Sequence, residues 1–368
     1  MQLEEYSGFA LGEIFDLIFQ TLSRLPGRSK PEIPFPQDLA DFINQIFELP
    51  YNSSVYNPYS GVGAFGVIQK EGIDYWGQEV NNISWAISWL RLFSNEKLRD
   101  NGSYCKCVVK QENPIIDWNS KGESYDLIIT NPPMGMRVDP FKIGEPKRSR
   151  TSEHFVIENG LNSLKRGGKL IAVVSNGFLY GSGIERDLRR KLIEDDLLEA
   201  IVTFPSGLLD QTNIPFALIV VNTEKATKSF VRFIDATGFS EVRKKGKTTL
   251  DTSTLLRVIK GTYPSEFSKL VPNEQVGQTN YNLSAPRYIQ DELKGARIDA
   301  FARIVKGAKP QNGEQGRIVN TRSGQRQFKT PVKTGKPGGS HNSTEFFENF
   351  PNLCFSRNRM EFTKAHIF

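Results

Sequence analysis

With 368 residues, 38% of them hydrophobic and 24% charged, the chain has room for a large core and two domains, and its composition is that of an ordinary globular protein. No apolar run approaches the ~20 residues of a membrane span, and Met1-Gln-Leu-Glu-Glu-Tyr6 lacks the basic and apolar parts of a leader. Three cysteines and three scattered histidines make neither a disulfide framework nor a metal site, so the expectation is a cytoplasmic protein with reduced thiols, no bound metal and no membrane partner.

The net charge of +6 is unevenly spread. Residues 291–368 hold 14 Lys/Arg against 7 Asp/Glu, whereas residues 1–290 hold 33 against 34. The basic excess therefore lies in the last segment and points to a polyanionic partner. A solvated basic surface is the plainer alternative.

In chain order, the first predicted element is a helix within residues 1–30. There Leu11, Ile14, Phe15, Ile18, Phe19 and Leu22 recur at helical spacing up to the breaker Pro26-Gly27. A second packing helix starts at Pro36, carries Leu39, Phe42, Ile43, Ile46 and Phe47 on one face, and closes at Pro50. A short strand then runs into the turn Asn57-Pro58-Tyr59-Ser60-Gly61-Val62-Gly63-Ala64-Phe65-Gly66. Glycines at 61 and 63 permit positive φ and close approach of a ligand to the backbone. Amides at the start of a following helix can meet a ligand's negative end.

The second strand, Ile73–Glu79, ends in a carboxylate 18 residues after Gly61. In nucleotide-binding α/β folds an acid at the end of this strand takes the ribose hydroxyls; a solvated strand-end acid is the alternative. The helix Asn82–Phe93 follows, with Trp85, Ile87, Trp89, Leu90 and Leu92 apolar and the tryptophans read as core in preference to cofactor contacts. Strand three, Tyr104–Val109, contains Cys105 and Cys107. Beyond it, Glu112 and Asp117 are both candidates to reach a cofactor base, and both are equally readable as loop acids.

Strand four, Tyr125–Thr130, is a short β-branched run that stops at Asn131-Pro132-Pro133-Met134-Gly135. Two prolines forbid both a continued ladder and an immediate helix. The Asn131 side chain and the Pro132 carbonyl are thus two acceptors on a stiff turn at the edge where open α/β sheets bind ligands. Such a pair suits an exocyclic NH2 group. It engages both N–H donors, pulls the nitrogen toward tetrahedral geometry and aims its lone pair at an electrophile. A double-proline loop with no chemistry is the bland alternative.

Gly135–Ser152 reads as a long, basic, mobile loop. A helix over Phe155–Lys165 is expected to end at the cap Arg166-Gly167-Gly168. Strand five is Lys169–Ser175, a helix includes Arg186–Ile193, and strands six and seven are Leu197–Phe204 and Phe216–Asn222. The link Pro205–Pro215 is too short for a helical crossover, so the last two strands should be antiparallel. The alternation predicts an α/β fold with a mostly parallel sheet covered on both faces. Residues 223–290 are mixed and include the basic cluster Arg243-Lys244-Lys245-Gly-Lys247.

As an ordered set, Asn57-Pro-Tyr-Ser-Gly-Val-Gly63, Gly77-Gln-Glu79, Asn131-Pro-Pro-Met134, Gly167-Gly-Lys-Leu-Ile-Ala-Val-Val-Ser-Asn-Gly177, Pro205-Ser-Gly-Leu208 and Phe216–Asn222 resemble the N6-adenine DNA methyltransferases. The nearest likeness is to the modification subunit of type I restriction–modification systems, over about residues 31–290. The resemblance implies a Rossmann-like, S-adenosylmethionine-dependent methyltransferase fold of seven strands with the last antiparallel. It implies S-adenosylmethionine held by Asn57, Pro58, Tyr59, Ser60, Gly61, Gly63, Phe65, Glu79 and Asn131. It also implies catalysis by Asn131, Pro132, Pro133 and Met134 on an adenine flipped out of double-stranded DNA, with specificity and restriction subunits as partners.

The sequence departs from the family in three places. Met134 stands where an aromatic ring usually stacks on the base, with Phe35 as a substitute ring. Asn57 replaces an acid that would attract the donor's ammonium. Only about 30 residues precede the core, where type I subunits carry a large helical domain. The run Ile304-Val-Lys-Gly-Ala-Lys-Pro310 resembles the start of a target-recognition region, which suggests a truncated one. The expected division is an N-terminal helical segment at 1–30, a methyltransferase domain at 31–240, a connector packed on it at 241–290, and a partial DNA-binding region at 291–368. Two alternatives stay open: a methyltransferase for protein glutamine or RNA guanine-N2, and an inactive subunit that binds donor or DNA.

Overall fold

Strand β1 (Ser53–Asn57) is buried along most of its length, and the main sheet is built outward from it. The computed structural model describes residues 12–17, 35–95, 107–119, 124–139, 150–209, 214–242, 248–289, 317–320 and 326–329. Most of the expected first helix, Cys105, residues 140–149, the cluster 243–247 and the Ile304–Pro310 run lie outside them. The chain divides into two compact units, Met1–Asp291 and Glu292–Phe368. In the second, the described residues are one antiparallel pair, Arg317–Asn320 with Arg326–Lys329.

In the first unit β1 pairs in parallel with β2 (Ile73–Gln78) on one side and with β4 (Tyr125–Thr130) on the other. β3 (Cys107–Lys110) lies beyond β2. On the far side β4 is followed by β7 (Leu164–Ser175), then β9 (Phe216–Asn222), β8 (Leu198–Thr203), β10 (Phe230–Asp235) and β13 (Ser268–Pro272). β9 is antiparallel to both β7 and β8, as the short link predicted. Among the described residues the sheet has nine strands where seven were expected. β10 and β13 come from the mixed segment after residue 223, where Val231, Phe233 and Val271 are fully buried.

Period-2 alternation divides the core between the two faces. Val55, Leu127 and Ile129 pack under α1 (Gln37–Asn44), with Leu39, Phe42 and Ile43. Tyr56, Ile128 and Leu170 point the other way, toward Ile157 of α4 (Ser152–Leu161) and Leu188 and Leu192 of α6 (Ile184–Glu194). The Pro36 helix start holds, at φ −58° and ψ 131°. That helix ends at Asn44, short of Pro50.

Two other expectations change. The helix placed at Phe155–Lys165 runs from Ser152 to Leu161, and β7 begins at Leu164. Gly167-Gly168 is therefore no helix cap. Tyr125 pairs with Leu164 but Leu127 with Lys169, so the glycines sit in a bulge. A Cβ on Gly168 would lie 2.7 Å from the Lys165 carbonyl. The expectation for helix α3 (Asn82–Ser94) holds only in part: Leu92 is buried and Trp85 packs against the core. Ser84, Ser88 and Arg91 face inward, whereas Trp89, Leu90 and Phe93 are exposed. The cause is close packing, because a Cβ on Gly63 would come within 2.7 Å of Ser88 Oγ. Only a small residue fits at position 88.

Candidate active site

The chain runs from β1 outward through β2 to β3 and returns on the other side of β1 as β4. The carboxyl ends of β1 and β4 therefore flank the point where strand order reverses, the usual ligand crevice of open α/β sheets. The glycine turn leaves β1 there, and the Asn-Pro-Pro turn leaves β4. A cavity of about 460 Å³ beside Phe47, Gln69 and Ile73 lies by the amino end of β2, away from this edge.

The glycine turn is held largely by its own surroundings. Gly61 and Gly63 have φ of 53° and 82°. A Cβ on Gly61 would meet nothing within 4 Å, so its backbone borders open space. The Ser60 amide donates to the Gln78 carbonyl at 2.8 Å, and Arg91 Nη1 donates to the Val62 carbonyl at 2.9 Å. Glu79, 5% exposed, spans the turn: Oε2 accepts from the Gly61 amide (2.9 Å) and Oε1 from the Asn81 amide (2.7 Å).

Asn57 is fully buried. Its Nδ2 donates to the Tyr75 hydroxyl and its Oδ1 accepts from the Tyr59 amide, each at 3.2 Å, an Asx-type brace inside the turn. Both ends of its side chain are thus engaged within the protein. Phe65 is buried with Phe35, their ring centroids 5.4 Å apart. Pro58 is buried as well. The half-buried Tyr59 packs with Val138, Phe155 and Val156. Its enclosed hydroxyl has no partner, and burial raises its pKa, helped by the charges of Glu79 and Glu153.

Of the two candidate loop acids, the structure brings Glu112 to the carboxyl end of β2. Gln78 Nε2 donates to Glu112 Oε2 at 2.9 Å and to the Asp117 carbonyl at 2.8 Å. The Asp117 residue itself is exposed.

The second turn is different. Asn131 Oδ1 is enclosed and has no hydrogen-bond partner. The same holds for Thr130 Oγ1 at the end of β4 and Asn176 Oδ1 just beyond β7. Pro132 is buried and Pro133 exposed. Met134 is half-buried against the apolar cluster that also takes Phe35 and Phe65. The Met136 amide returns to the Pro133 carbonyl at 3.2 Å. The loop beyond closes on itself as the antiparallel pair Arg137–Val138 (β5) with Arg150–Thr151 (β6).

The sequence reading missed Ser152 and Glu153, which grip this turn from the start of α4. The Gly135 amide donates to Glu153 Oε1 at 2.8 Å, and the Ser152 hydroxyl donates to the Pro133 carbonyl. Thr151 caps the helix through the His154 amide. A Thr before Ser-Glu is a helix-start signal, and heeding it would have moved the helix start to Ser152. Among the described residues no group of three or more His, Cys, Asp or Glu is placed to hold a metal. No described helix is long and apolar enough to cross a membrane.

Comparison with known proteins agrees with this layout. The chain is 22% identical over 338 residues to the methylase subunit of the type I restriction enzyme MpnII of Mycoplasma pneumoniae, covering 81% of this chain and 61% of that one. It is 24% identical over 246 residues to the HindI methylase subunit of Haemophilus influenzae, covering 61% and 54%. The chain thus spans between half and two thirds of the length of these relatives. The fold matches the crystal structure of the type I restriction–modification methyltransferase subunit from Streptococcus thermophilus with a TM-score of 0.67 at 19% identity, covering 79% of this chain and 66% of that one. The family model described as N-6 DNA methylase matches residues 7–295, and the chain belongs to that family.

Proposed function

We propose that the chain is the catalytic part of an adenine-N6 DNA methyltransferase of a type I restriction–modification system, acting in the cytoplasm. The observation that carries this reading is the enclosed, unpartnered Asn131 Oδ1 on a double-proline turn at the switch point. An enclosed acceptor without a donor costs about 1–3 kcal/mol. A ligand N–H removes that cost.

In this reading Asn131 Oδ1 and the Pro132 carbonyl take the two N–H groups of a flipped adenine's amino nitrogen. Its lone pair is then localised and directed toward β1. S-adenosylmethionine supplies the electrophilic methyl group. The residues present fit that donor: Gly61 leaves its backbone open beside Glu79, Ser60 Oγ is enclosed without a partner, and Glu112 lies at the next strand end. Asn57 contributes by bracing the turn. Met134 offers a thioether to the base, worth about 0.3–1.5 kcal/mol, where stacking on a ring is worth about 1–3 kcal/mol. The basic residues of 291–368 supply phosphate affinity without sequence information. Specificity and restriction subunits complete the assembly. The family match supports DNA over protein or RNA as the substrate.

The test uses purified protein, tritium-labelled S-adenosylmethionine and mixed-sequence duplex DNA, with digestion to nucleosides. Label in N6-methyladenine that disappears in Asn131→Ala is the expected result. Donor binding with no transfer, even after addition of a specificity subunit, would overturn it.

A further inference from the structure

The first turn of α4 folds back onto the Asn131–Gly135 turn. Ser152 donates its amide to the Met136 carbonyl at 2.8 Å and its hydroxyl to the Pro133 carbonyl. Glu153 Oε1 accepts from the Gly135 amide at 2.8 Å and from the Ser175 amide, at the end of β7, at 3.5 Å. Glu153 Oε2 accepts from the Ser152 hydroxyl at 3.3 Å. Glu153 is 1% exposed, and among the described residues these partners are all neutral. A buried carboxylate without a cation is expensive to desolvate, so its presence calls for a task that an apolar residue could not perform.

The mechanics of the turn identify that task. Pro132 and Pro133 have fixed φ, so the stretch from Asn131 to Pro133 moves as one stiff piece. The soft joint is Gly135, with φ 68° and no atom within 4 Å of where a Cβ would sit. Glu153 holds the amide of that joint. On the same helical turn Phe155 packs with Val138 and with Tyr59 of the glycine turn, so α4 touches both halves of the crevice.

We propose that Glu153 is a positioning residue. By fixing the Gly135 amide against the end of β7, it sets the direction in which Asn131 Oδ1 and the Pro132 carbonyl present themselves to the amino group. This inference rests on the proposed role of the Asn131 turn.

The test compares Glu153→Ala and Glu153→Gln in the full chain by hydrogen–deuterium exchange, S-adenosylmethionine affinity and single-turnover methyl transfer. Loss of a hydrogen bond to a charged group predicts that Glu153→Ala raises exchange at 134–136 about tenfold and slows transfer about 30-fold, with donor Kd within about twofold. Gln has the same shape and a neutral acceptor, so it should return both readouts to within about fivefold of the native protein. Unchanged exchange in Glu153→Ala, a Gln variant as impaired as Ala, or a parallel fall in donor affinity and melting temperature would each overturn the proposal. If the native protein methylates no DNA, the proposed function fails, while the exchange comparison still decides whether Glu153 holds the turn.

Discussion

The two turns that face each other across the switch point are built on opposite plans. In the glycine turn the amide and carboxylate side chains are already bonded to the protein, Asn57 to Tyr75 and Tyr59 and Glu79 to the Gly61 and Asn81 amides, while the hydroxyls of Tyr59 and Ser60 are enclosed without a partner. In the Asn-Pro-Pro turn the side chain that matters is enclosed and unpaired at Asn131 Oδ1, while the backbone around it is clamped by Ser152 and Glu153. One side shapes a backbone surface and bonds its amide and carboxylate side chains into that shape. The other fixes a backbone so that one acceptor is held ready. On the proposed function that difference matches methyl transfer, because a donor can be bound through many contacts whereas the attacking nitrogen must be aimed.

Crossing two substitutions would break this contrast if it is wrong. Asn131→Ala should slow methyl transfer by about 100- to 1,000-fold, the usual effect of removing a preorganised polar contact, and leave donor affinity nearly unchanged. Glu79→Ala should weaken S-adenosylmethionine binding by about 100-fold, since it removes a buried charged acceptor and frees two amides. Calorimetry of both variants decides the matter. Equal losses of donor affinity would mean that the two turns form one undivided site.

A smaller effect sharpens the acceptor side. Replacing Met134 by Tyr adds a ring where the thioether now packs, and should tighten binding of DNA carrying an abasic site opposite the target adenine by about three- to tenfold. No gain in a competition assay would show that Met134 belongs only to the apolar cluster beneath it.

The smallest effect concerns the seam between β1 and β4. Burial by itself would raise the Asp126 pKa, but the Lys165 ammonium at 2.8 Å and the Ser54 amide and hydroxyl outweigh it, and the group lies below the usual carboxylate range. A depressed folded-state pKa gives stability that is present above the unfolded value of about 3.9 and is lost as pH falls through the folded value. The native protein should therefore melt higher than Asp126→Asn at pH 7, with the gap shrinking below about pH 4. A gap independent of pH would assign the seam to the Ser54 hydrogen bonds alone.

Much of this molecule was legible in its residues. The strands carry β-branched runs bounded by Gly, Pro and Asn, so β2, β4, β8 and β9 fall within a residue or two of where the pattern puts them. The antiparallel last pair follows from the length of one link. Asn131-Pro-Pro and the Gly61/Gly63 turn announce themselves because proline and glycine restrict or widen φ irrespective of context.

Other features needed the fold. α3 reads as an ordinary helix with buried tryptophans, yet Trp89 is exposed because Gly63 demands a small neighbour at Ser88. Periodicity cannot say which face of a helix must be thin. Asn57 reads as a ligand contact, and only the position of the Tyr75 hydroxyl shows that it braces the turn. Glu153 is 18 residues beyond the amide it holds, across a loop whose length says nothing about where its ends meet. Local chemistry, written in φ restrictions and strand composition, was determined by the sequence alone. Which side chains are bonded into the scaffold and which stay unpartnered was decided only in three dimensions, because that allocation depends on partners brought together from distant parts of the chain.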